Sequence, residues 1–324
     1  MAEWLVERGI GEDRAILLEG ERVLAARLTW PGDITTGPVD ARLVRRAKGA
    51  SRGLARTADG LEINVSGLAS DASEGSTIGV RITRAPIAES GRLKRAQGVH
   101  KGAQEHRDAQ KPGTLADTLP QARIVHRFPS GLWEETWSEA WTGEVAFAGG
   151  SLIASVTPAM TVIDIDGDLP PRELALAAVP AVAMAVRRFD LGGSIGIDFP
   201  TLPDKAQRRA VDEELAQALS DWPHERTAMN GFGFVQLVAR LEGPALLHRL
   251  HFHRSAAAAR MLLRRGELAE GTGPRLLLRC HPAVAERLTD EWQAELARRS
   301  GRQVVIERDP ALALEGGHAQ ILAS

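Results

Sequence analysis

The stretch TVIDIDGDLP, residues Thr161–Pro170, begins a strand–helix–strand unit. Its apolar half has high β propensity, the Ala-rich sequence from Pro171 has a helical pattern, and GGSIGIDFP at 192–200 predicts a second apolar strand. A crossover of this kind places its two strands parallel in one sheet, so the sequence predicts an α/β core. Pro180, in the middle of the helical pattern, predicts a kink or a division of that helix.

Acidic residues alternate along the first of these strands. Asp164, Asp166 and Asp168 lie on one face if the strand continues that far, and Asp198 ends the second strand. Because sites in such sheets form beyond the carboxyl ends of the strands, we expect the carboxylates to converge. Two interpretations remain open, a solvated sheet edge or a magnesium site suited to phosphodiester hydrolysis.

Composition excludes several classes of protein. The formal net charge of −2 over 324 residues excludes a strongly basic nucleic-acid-binding chain, although a local basic face is compatible with it. The single cysteine, Cys280, excludes a disulfide framework and a zinc site of four thiolates. The N-terminal residues lack the apolar core of a signal peptide, and no apolar run approaches the ~20 residues of a membrane span. We therefore expect a cytoplasmic protein that does not enter a membrane.

Turn signals and composition divide the chain into five predicted segments of a mixed α+β and α/β protein. Short β-rich pieces separated by turns predict a small OB-like barrel, and a polar stretch with almost no large apolar side chains predicts a linker. The segments are an N-terminal β-hairpin at 1–37, the barrel at 38–96, the linker at 97–121, an α/β domain at 122–250 and a small C-terminal α+β domain at 251–324.

Three tryptophans in SGLWEETWSEAW recur at helical spacing. Trp133, Trp137 and Trp141 occupy positions i, i+4 and i+8, which form one face of a short helix. Strict helical spacing is typical of a buried stripe, so we predict that these side chains pack in the core rather than stack on RNA.

The motifs together resemble the catalytic core of the ribonuclease E/G family of bacterial endoribonucleases. The resemblance rests on GGSLIASVTPAMTVIDIDGD, on RRFDLGGSIGIDFPTL, on GVRITRAPIAESGRLKRA at the end of the barrel and on the later strand NGFGFVQLVARLEG. It extends over about 44–304 and is strongest over 148–211. It implies a DNase I-like fold for the catalytic domain at 122–250.

By this resemblance, Asp164 and Asp198 take the places of two magnesium-binding aspartates, and Asp166 takes the place of a neighbouring asparagine. The resemblance implies cleavage of single-stranded RNA with Mg²⁺, or with Mn²⁺ in its place, leaving a 5′-phosphate and a 3′-hydroxyl. All three aspartates are predicted to be catalytic. A carboxylate cannot donate the hydrogen bond of an amide, so a non-catalytic RNA-binding protein of the same fold is the alternative.

Basic residues near the barrel and the last catalytic strand are the predicted contacts to RNA phosphates, with solvated surface charge as the alternative. The candidates are Arg84, Arg92, Lys94 and Arg240. Arg240 stands beside Ala239, which occupies a position where the resemblance implies an arginine. No Phe, Trp or Tyr occurs between residues 31 and 127, so the barrel lacks base-stacking aromatics.

Other parts of the family's pattern are missing. The segment 97–121 stands where the family has a 5′-monophosphate sensor and most of an RNase H-like domain. The stretch LLHRLHFHR replaces the paired cysteines of a zinc link, and its His248, His251 and His253 are predicted to be structural. We therefore expect a minimal form without zinc, monomeric or homodimeric rather than a zinc-linked tetramer.

Overall fold

The computed structural model describes residues 1–101 and 113–323. It has a mixed α+β fold with a closed barrel, several sheets and several helices. The helices are α1 Leu115–Thr118, α2 Leu132–Thr142, α3 Pro171–Arg188, α4 Lys205–Ala218, α5 Leu246–Phe252, α6 Arg254–Glu267, α7 Pro282–Ala285 and α8 Asp290–Ser300, with a 3₁₀ turn at Leu314–Gly316. Within these described ranges, no helix is both long enough and apolar enough to cross a membrane.

The strand–helix–strand unit lies in the middle of the largest sheet. This sheet has the order β12-β13-β14-β15-β17-β16, and β14 and β15 are its parallel pair. The strands are β12 Glu144–Phe147, β13 Gly150–Val156, β14 Thr161–Gly167, β15 Gly193–Asp198, β16 His224–Arg226 and β17 Phe234–Ala239. The predicted crossover is confirmed, with α3 as its helix.

Helix α3 packs between two sheets. It contacts β12, β13 and β14 of the large sheet and β3 (Arg22–Thr29) of the N-terminal sheet. The many alanines of α3 allow both sheets to approach the helix closely, and Ala175, Ala178 and Ala185 are fully buried. Pro180 does not divide the helix. It is exposed, so water can bind the carbonyl that a proline leaves without a donor.

The N-terminal segment is a sheet rather than the predicted hairpin. Its order is β11-β1-β2-β3, with β11 parallel to β1. The strands are β1 Glu3–Arg8, β2 Asp13–Glu19, β3 and β11 Arg123–Val125. Ile16, Val23 and Leu28 are buried in the same core as α3, because their apolar face would otherwise remain in water. Strand β11 was not expected in this sheet, because it pairs with β1 from far along the chain.

The barrel is closed by five strands in the order β10-β6-β5-β4-β7, with β7 also pairing with β10. The strands are β4 Gly37–Arg46, β5 Arg52–Arg56, β6 Glu62–Ser66, β7 Thr77–Arg84 and β10 Ala96–Lys101. Its core of Leu43, Ile63, Val80 and Ile82 is separate from the main core. Residues 97–101, predicted as linker, belong to β10, because they pair with β6 and β7 and complete the barrel. Residues 102–112 of the predicted linker lie outside the described residues.

A small hairpin connects the barrel to the helical part of the molecule. Its strands are β8, Ile87–Glu89, and β9, Arg92–Lys94, and β8 contacts α5. Helix α5 crosses the predicted domain boundary at residue 250, and its buried Leu246, Leu247 and Leu250 belong to the main core. The six-stranded sheet and the C-terminal part therefore share one core.

The C-terminal part is a sheet covered by helices. Its order is β19-β18-β20, and α6 contacts α7, α8, β18 and β20. The strands are β18 Arg275–Cys280, β19 Gln303–Arg308 and β20 His318–Leu322. The α+β character of this part is as predicted, but β20 was not expected. The tryptophan stripe on α2 is also confirmed as core, because Trp133, Trp137 and Trp141 are at most 6% exposed.

Candidate active site

The carboxylates of Asp164 and Asp198 meet on one face of the large sheet. The two residues are direct partners in the parallel register of β14 and β15, so ~4.8 Å separates their strands. Residues 163, 165 and 197 are buried isoleucines, which direct the alternate residues 164, 166 and 198 into solvent. The apolar–acidic alternation thus brings the predicted pair together.

Asp166 extends this acidic surface by one alternation. It is exposed, lies two residues beyond Asp164 on the same strand and pairs with Ser151 of β13. Asp168 lies beyond the strand, because β14 ends at Gly167, and its backbone nitrogen donates to the carbonyl oxygen of Gly149 at 3.2 Å. The predicted alternation therefore ends with Asp166.

Within the part of the chain that the structure describes, no side-chain cation pairs with the acidic group. In the described ranges, none of the carboxylates of Asp164, Asp166 and Asp198 accepts a hydrogen bond or forms an ion pair. Like charges on neighbouring positions of a sheet destabilise it unless something offsets their repulsion. The arrangement is therefore costly for folding and available for a positively charged ligand.

Magnesium fits this donor set. Mg²⁺ prefers carboxylate oxygens, keeps several waters and is usually held by one or two protein carboxylates together with substrate phosphate oxygens. Asp164 and Asp198 supply two such carboxylates at the surface. No group of three or more His, Cys, Asp or Glu side chains that could hold a metal occurs among the described residues, so an all-protein metal cage is not present there.

An aromatic turn adjoins Asp198, which sequence reasoning missed. Phe234 is the partner of Asp198 in the antiparallel register of β15 and β17. A Cβ atom added at Gly196 would lie 2.5 Å from the Phe234 ring and 3.0 Å from Sδ of Met160, so that ring crosses the exposed face of β15 beside Asp198. Phe232, in the preceding turn, is 80% exposed. The available signal was a pair of aromatics in the glycine-rich stretch NGFGF.

The predicted RNA contacts near the barrel differ in accessibility. Arg84 is only 8% exposed and donates from Nη2 to the carbonyl oxygen of Arg95 at 2.6 Å. Burial lowers the pKa of Arg84, against the opposing effect of the nearby Glu89 charge. This burial does not support a direct contact between Arg84 and an RNA phosphate.

Arg92 and Lys94 share the carboxylate of Glu89. Their nitrogen atoms lie 2.6 and 3.1 Å from its oxygens. Burial would raise the pKa of Glu89, yet hydrogen bonds and charge from Arg92 and Lys94 hold it below its ordinary value. The Arg92 side chain is 59% exposed and also donates to the carbonyl oxygen of Pro158 at 3.3 Å. Arg92 therefore lies at the turn that leads into β14.

Arg240 lies far from the carboxylate pair. Ala239 pairs with Gly193 at the start of β15, whereas Asp198 is five residues further on, a separation of ~17 Å at ~3.4 Å per residue. Arg240 is exposed and forms an ion pair with Glu242 at 2.9 Å. The structure therefore does not bring Arg240 to the Asp164–Asp198 pair.

The histidines of the predicted cluster pack against different neighbours. His248 is 8% exposed, and burial lowers its pKa to about 4, so it is neutral near pH 7. Burial also lowers the pKa of His251 and of His253, and the His253 ring stands edge-on to Trp30 with centroids 5.9 Å apart. Their surroundings agree with the structural role predicted for them.

Fold and site together define a mixed α+β protein in which a closed barrel accompanies a sheet with an exposed, unneutralised carboxylate pair. No protein-family profile matches the chain. Ribonuclease G of Escherichia coli strain K12 is 30% identical to it over 191 residues, which is 50% of this chain and 39% of that protein. Ribonuclease G of Salmonella typhimurium matches to the same extent.

A plant protein shows a shorter similarity. The chloroplastic ribonuclease E/G-like protein of Arabidopsis thaliana is 33% identical over 82 residues, which is 22% of this chain and 8% of that protein. The chain thus spans about two fifths of the length of the ribonuclease G proteins that it matches. These similarities support a relationship to ribonuclease E/G proteins over half of the chain, in agreement with the motifs.

Proposed function

We infer that this protein is an endoribonuclease that cleaves single-stranded RNA by hydrolysis and leaves a 5′-phosphate and a 3′-hydroxyl. The observation that carries the proposal is the in-register pairing of Asp164 with Asp198 on one exposed face, without a neutralising cation among the described residues. The names of the similar proteins, ribonuclease G and ribonuclease E/G-like, support the same substrate class.

Asp164 and Asp198 would hold Mg²⁺, or Mn²⁺ in its place. When bound, this ion would polarise the scissile phosphodiester and activate a water for in-line attack. Asp166 lies beside the pair and would accept a hydrogen bond from the attacking water, which orients its lone pair. No zinc is expected, because the one cysteine, Cys280, is fully buried.

Strand order supports a finer domain assignment for the barrel. Counting the barrel strands 1 to 5 along the chain, their order around the barrel is 1-2-3-5-4, with strands 3 and 5 parallel. This Greek-key arrangement supports an OB-type RNA-binding barrel, and the large sheet with α3 and α4 is assigned as DNase I-like. The segment between Lys101 and Arg123 is too short to hold a folded 5′-sensor, which supports a minimal architecture. We expect this protein to act in the cytoplasm as a monomer or homodimer.

RNA would run from the barrel hairpin to the carboxylates. Arg92 is exposed, contacts the turn before β14 and lies on the barrel side of that strand. Lys94 is one-third exposed and adds a second charge at the same place. Both would position phosphates without reading sequence.

Replacing Arg92 with Ala is expected to weaken RNA binding and to lower the slope of log affinity against log salt by ~0.7, the value for one phosphate contact to a single strand. Binding would be measured by fluorescence anisotropy across a salt series. The matched control is Arg123→Ala, because Arg123 is equally exposed and is also paired with a glutamate, Glu3, but lies in the N-terminal sheet. Equal slopes for both variants would contradict the proposed path.

The proposal is tested by incubating the protein with a 5′-labelled, A/U-rich single-stranded RNA, with Mg²⁺ or with excess EDTA. We expect internal cuts in Mg²⁺ only, and products that a 5′-phosphate-dependent exonuclease degrades. RNA that is bound, as a mobility shift shows, but intact in both conditions would favour the non-catalytic RNA-binding alternative. In that case Asp166→Asn is the first change to make, since it restores the amide that the resemblance implies.

A further inference from the structure

The turn that carries Phe232 is held in place by hydrogen bonds. The side-chain oxygen Oδ1 of Asn230 accepts from the backbone nitrogens of Phe232 at 2.9 Å and of Phe234 at 3.1 Å. From the other side, the hydroxyl of Thr201 donates to the carbonyl oxygen of Phe232 at 3.2 Å, and Phe199 donates from its backbone to Gly233 at 3.3 Å. The backbone of Phe232 is thereby fixed to the segment that follows Asp198.

The side chain of Phe232 is nevertheless exposed. At 80% it is the most exposed large apolar side chain of the described residues after the terminal Met1. An aromatic ring has a large apolar surface, and leaving it in water forgoes the stabilisation that burial would provide. A fixed backbone that presents a bare ring is preorganised to bind a ligand at low cost in conformational entropy.

A second aromatic side chain adjoins the carboxylates on the other side of Asp198. The ring of Phe234 crosses Gly196 and meets Met160, on the same face of the sheet as Asp164 and Asp198. Only glycine at position 196 leaves room for that ring, because a Cβ atom there would lie 2.5 Å from it. Aromatic side chains therefore flank Asp198 along the strand direction, with Phe234 over Gly196 on one side and Phe232 in the turn on the other.

We propose that Phe232 stacks on a base of single-stranded RNA, in the nucleotide beside the phosphodiester bound at Asp164 and Asp198. This inference rests on the proposed function for the position of the phosphodiester. A base offers a π face to an aromatic ring whatever its identity, so the contact binds without selecting sequence. The barrel has no Phe, Trp or Tyr between positions 31 and 127 that would offer such a ring.

The test uses Phe232→Leu, which keeps an apolar side chain, and Phe232→Tyr, which keeps the ring. The matched control is Ile124→Ala, because Ile124 is 54% exposed and belongs to the N-terminal sheet. The probe is an A/U-rich oligoribonucleotide with 2-aminopurine at one position, moved stepwise along the chain, and a parallel set has an abasic site there. Stopped-flow mixing in Mg²⁺ reads 2-aminopurine quenching and binding before any cleavage, and cleavage rates are measured on the same samples.

We expect 2-aminopurine to be quenched at one position by the parent protein, by Phe232→Tyr and by Ile124→Ala, but not by Phe232→Leu. Removing that base should weaken binding by the parent protein about tenfold, and should change binding by Phe232→Leu little, because the stacking partner is already gone. Equal sensitivity of the parent protein and Phe232→Leu to the abasic site would overturn the inference. A change in the monomer–dimer equilibrium of Phe232→Leu without any base dependence would overturn it too, and would make the ring a contact to a second copy.

The same experiment separates this inference from the proposed function. Position-specific quenching that is lost in Phe232→Leu, without cleavage of any RNA, would uphold the stacking contact and reject the nuclease. Normal cleavage with identical quenching by all variants would uphold the nuclease and reject the stacking role.

Discussion

The variant Asp198→Asn should lose magnesium-dependent RNA cleavage while keeping the fold. Asp198 ends β15 with its carboxylate in solvent, next to Asp164 and without a hydrogen-bond or ion-pair partner among the described residues, so the amide removes a charge and no packing. Replacing a group that hydrogen-bonds to a metal ligand costs roughly 10–100-fold in metal affinity or activity. Replacing the ligand itself should cost at least the upper end of that range.

Two measurements check this expectation. Cleavage rates in Mg²⁺ should fall at least ~100-fold, and the rise in melting temperature that Mg²⁺ produces in the parent protein by binding the folded state should disappear. Without Mg²⁺, the variant should melt no lower than the parent protein, since it has one fewer repulsive charge at the pair.

The matched control for this variant is Asp168→Asn. This variant makes the same change of charge close by, but Asp168 follows the end of β14 and lies past the pairing of β14 with β15, which ends at Asp164 and Asp198. We expect its cleavage rate and its response to Mg²⁺ to remain near those of the parent protein. Parent-like cleavage and magnesium affinity in Asp198→Asn would remove the assigned site, and a solvated sheet edge would then explain the alternating acids.

The part of the site that is local in sequence was predictable. Alternation of buried isoleucines with aspartates sets which side of β14 each residue occupies, and a right-handed crossover brings the next strand alongside. Asp164 and Asp198 therefore met as expected. The tryptophan stripe of α2 was predictable for the same reason, because a periodicity of 3.6 residues and burial are two aspects of one helical face.

What the sequence left open depends on contacts between distant segments. The burial of Arg84 depends on its hydrogen bond to the carbonyl oxygen of Arg95. The distance of Arg240 from Asp198 depends on the antiparallel direction of β17. Likewise, β11 joins β1 across more than a hundred residues. No periodicity within a short window encodes such pairings, because many alternative partners would satisfy the same local pattern.

A buried charge cluster shows how completely the N-terminal sheet is integrated with the rest of the molecule. Glu7 of β1 accepts hydrogen bonds from Arg14 Nη1 at 2.8 Å, from Arg264 Nε at 2.8 Å and from the backbone nitrogen of Phe128 at 2.9 Å. Both arginines are fully buried or nearly so. Glu12 and Glu134 form the second ion pairs of Arg14 and Arg264, respectively. One carboxylate thus connects β1, β2, the segment before α2 and the C-terminal helix α6.

Replacing Glu7 with Gln should therefore lower the free energy of unfolding by about 3–5 kcal/mol, the usual cost of removing one partner from a buried ion pair. Gln keeps the shape of the Glu side chain, so no cavity forms. The loss of stability would arise because two buried guanidinium groups no longer have the negative charge of Glu7 as a partner. Urea denaturation followed by tryptophan fluorescence would measure this change in the free energy of unfolding. An unchanged slope of that free energy against urea concentration would indicate that the unfolding transition itself is the same.

Glu3→Gln is the matched control, because it lies on the same strand and removes the same charge. Glu3 pairs with Arg123 at 2.7 Å, but both side chains are about half exposed, and water can replace the lost interaction. We expect the control to unfold at nearly the parent urea concentration. Equal destabilisation by the two variants would mean that any negative charge on β1 contributes equally to the free energy of unfolding, whether it is buried or exposed. A loss confined to Glu7→Gln would establish that this buried cluster holds the N-terminal sheet against α6. A further variant, in which Leu replaces both Glu7 and Arg14, should recover part of the loss, since apolar groups of similar volume carry no desolvation cost.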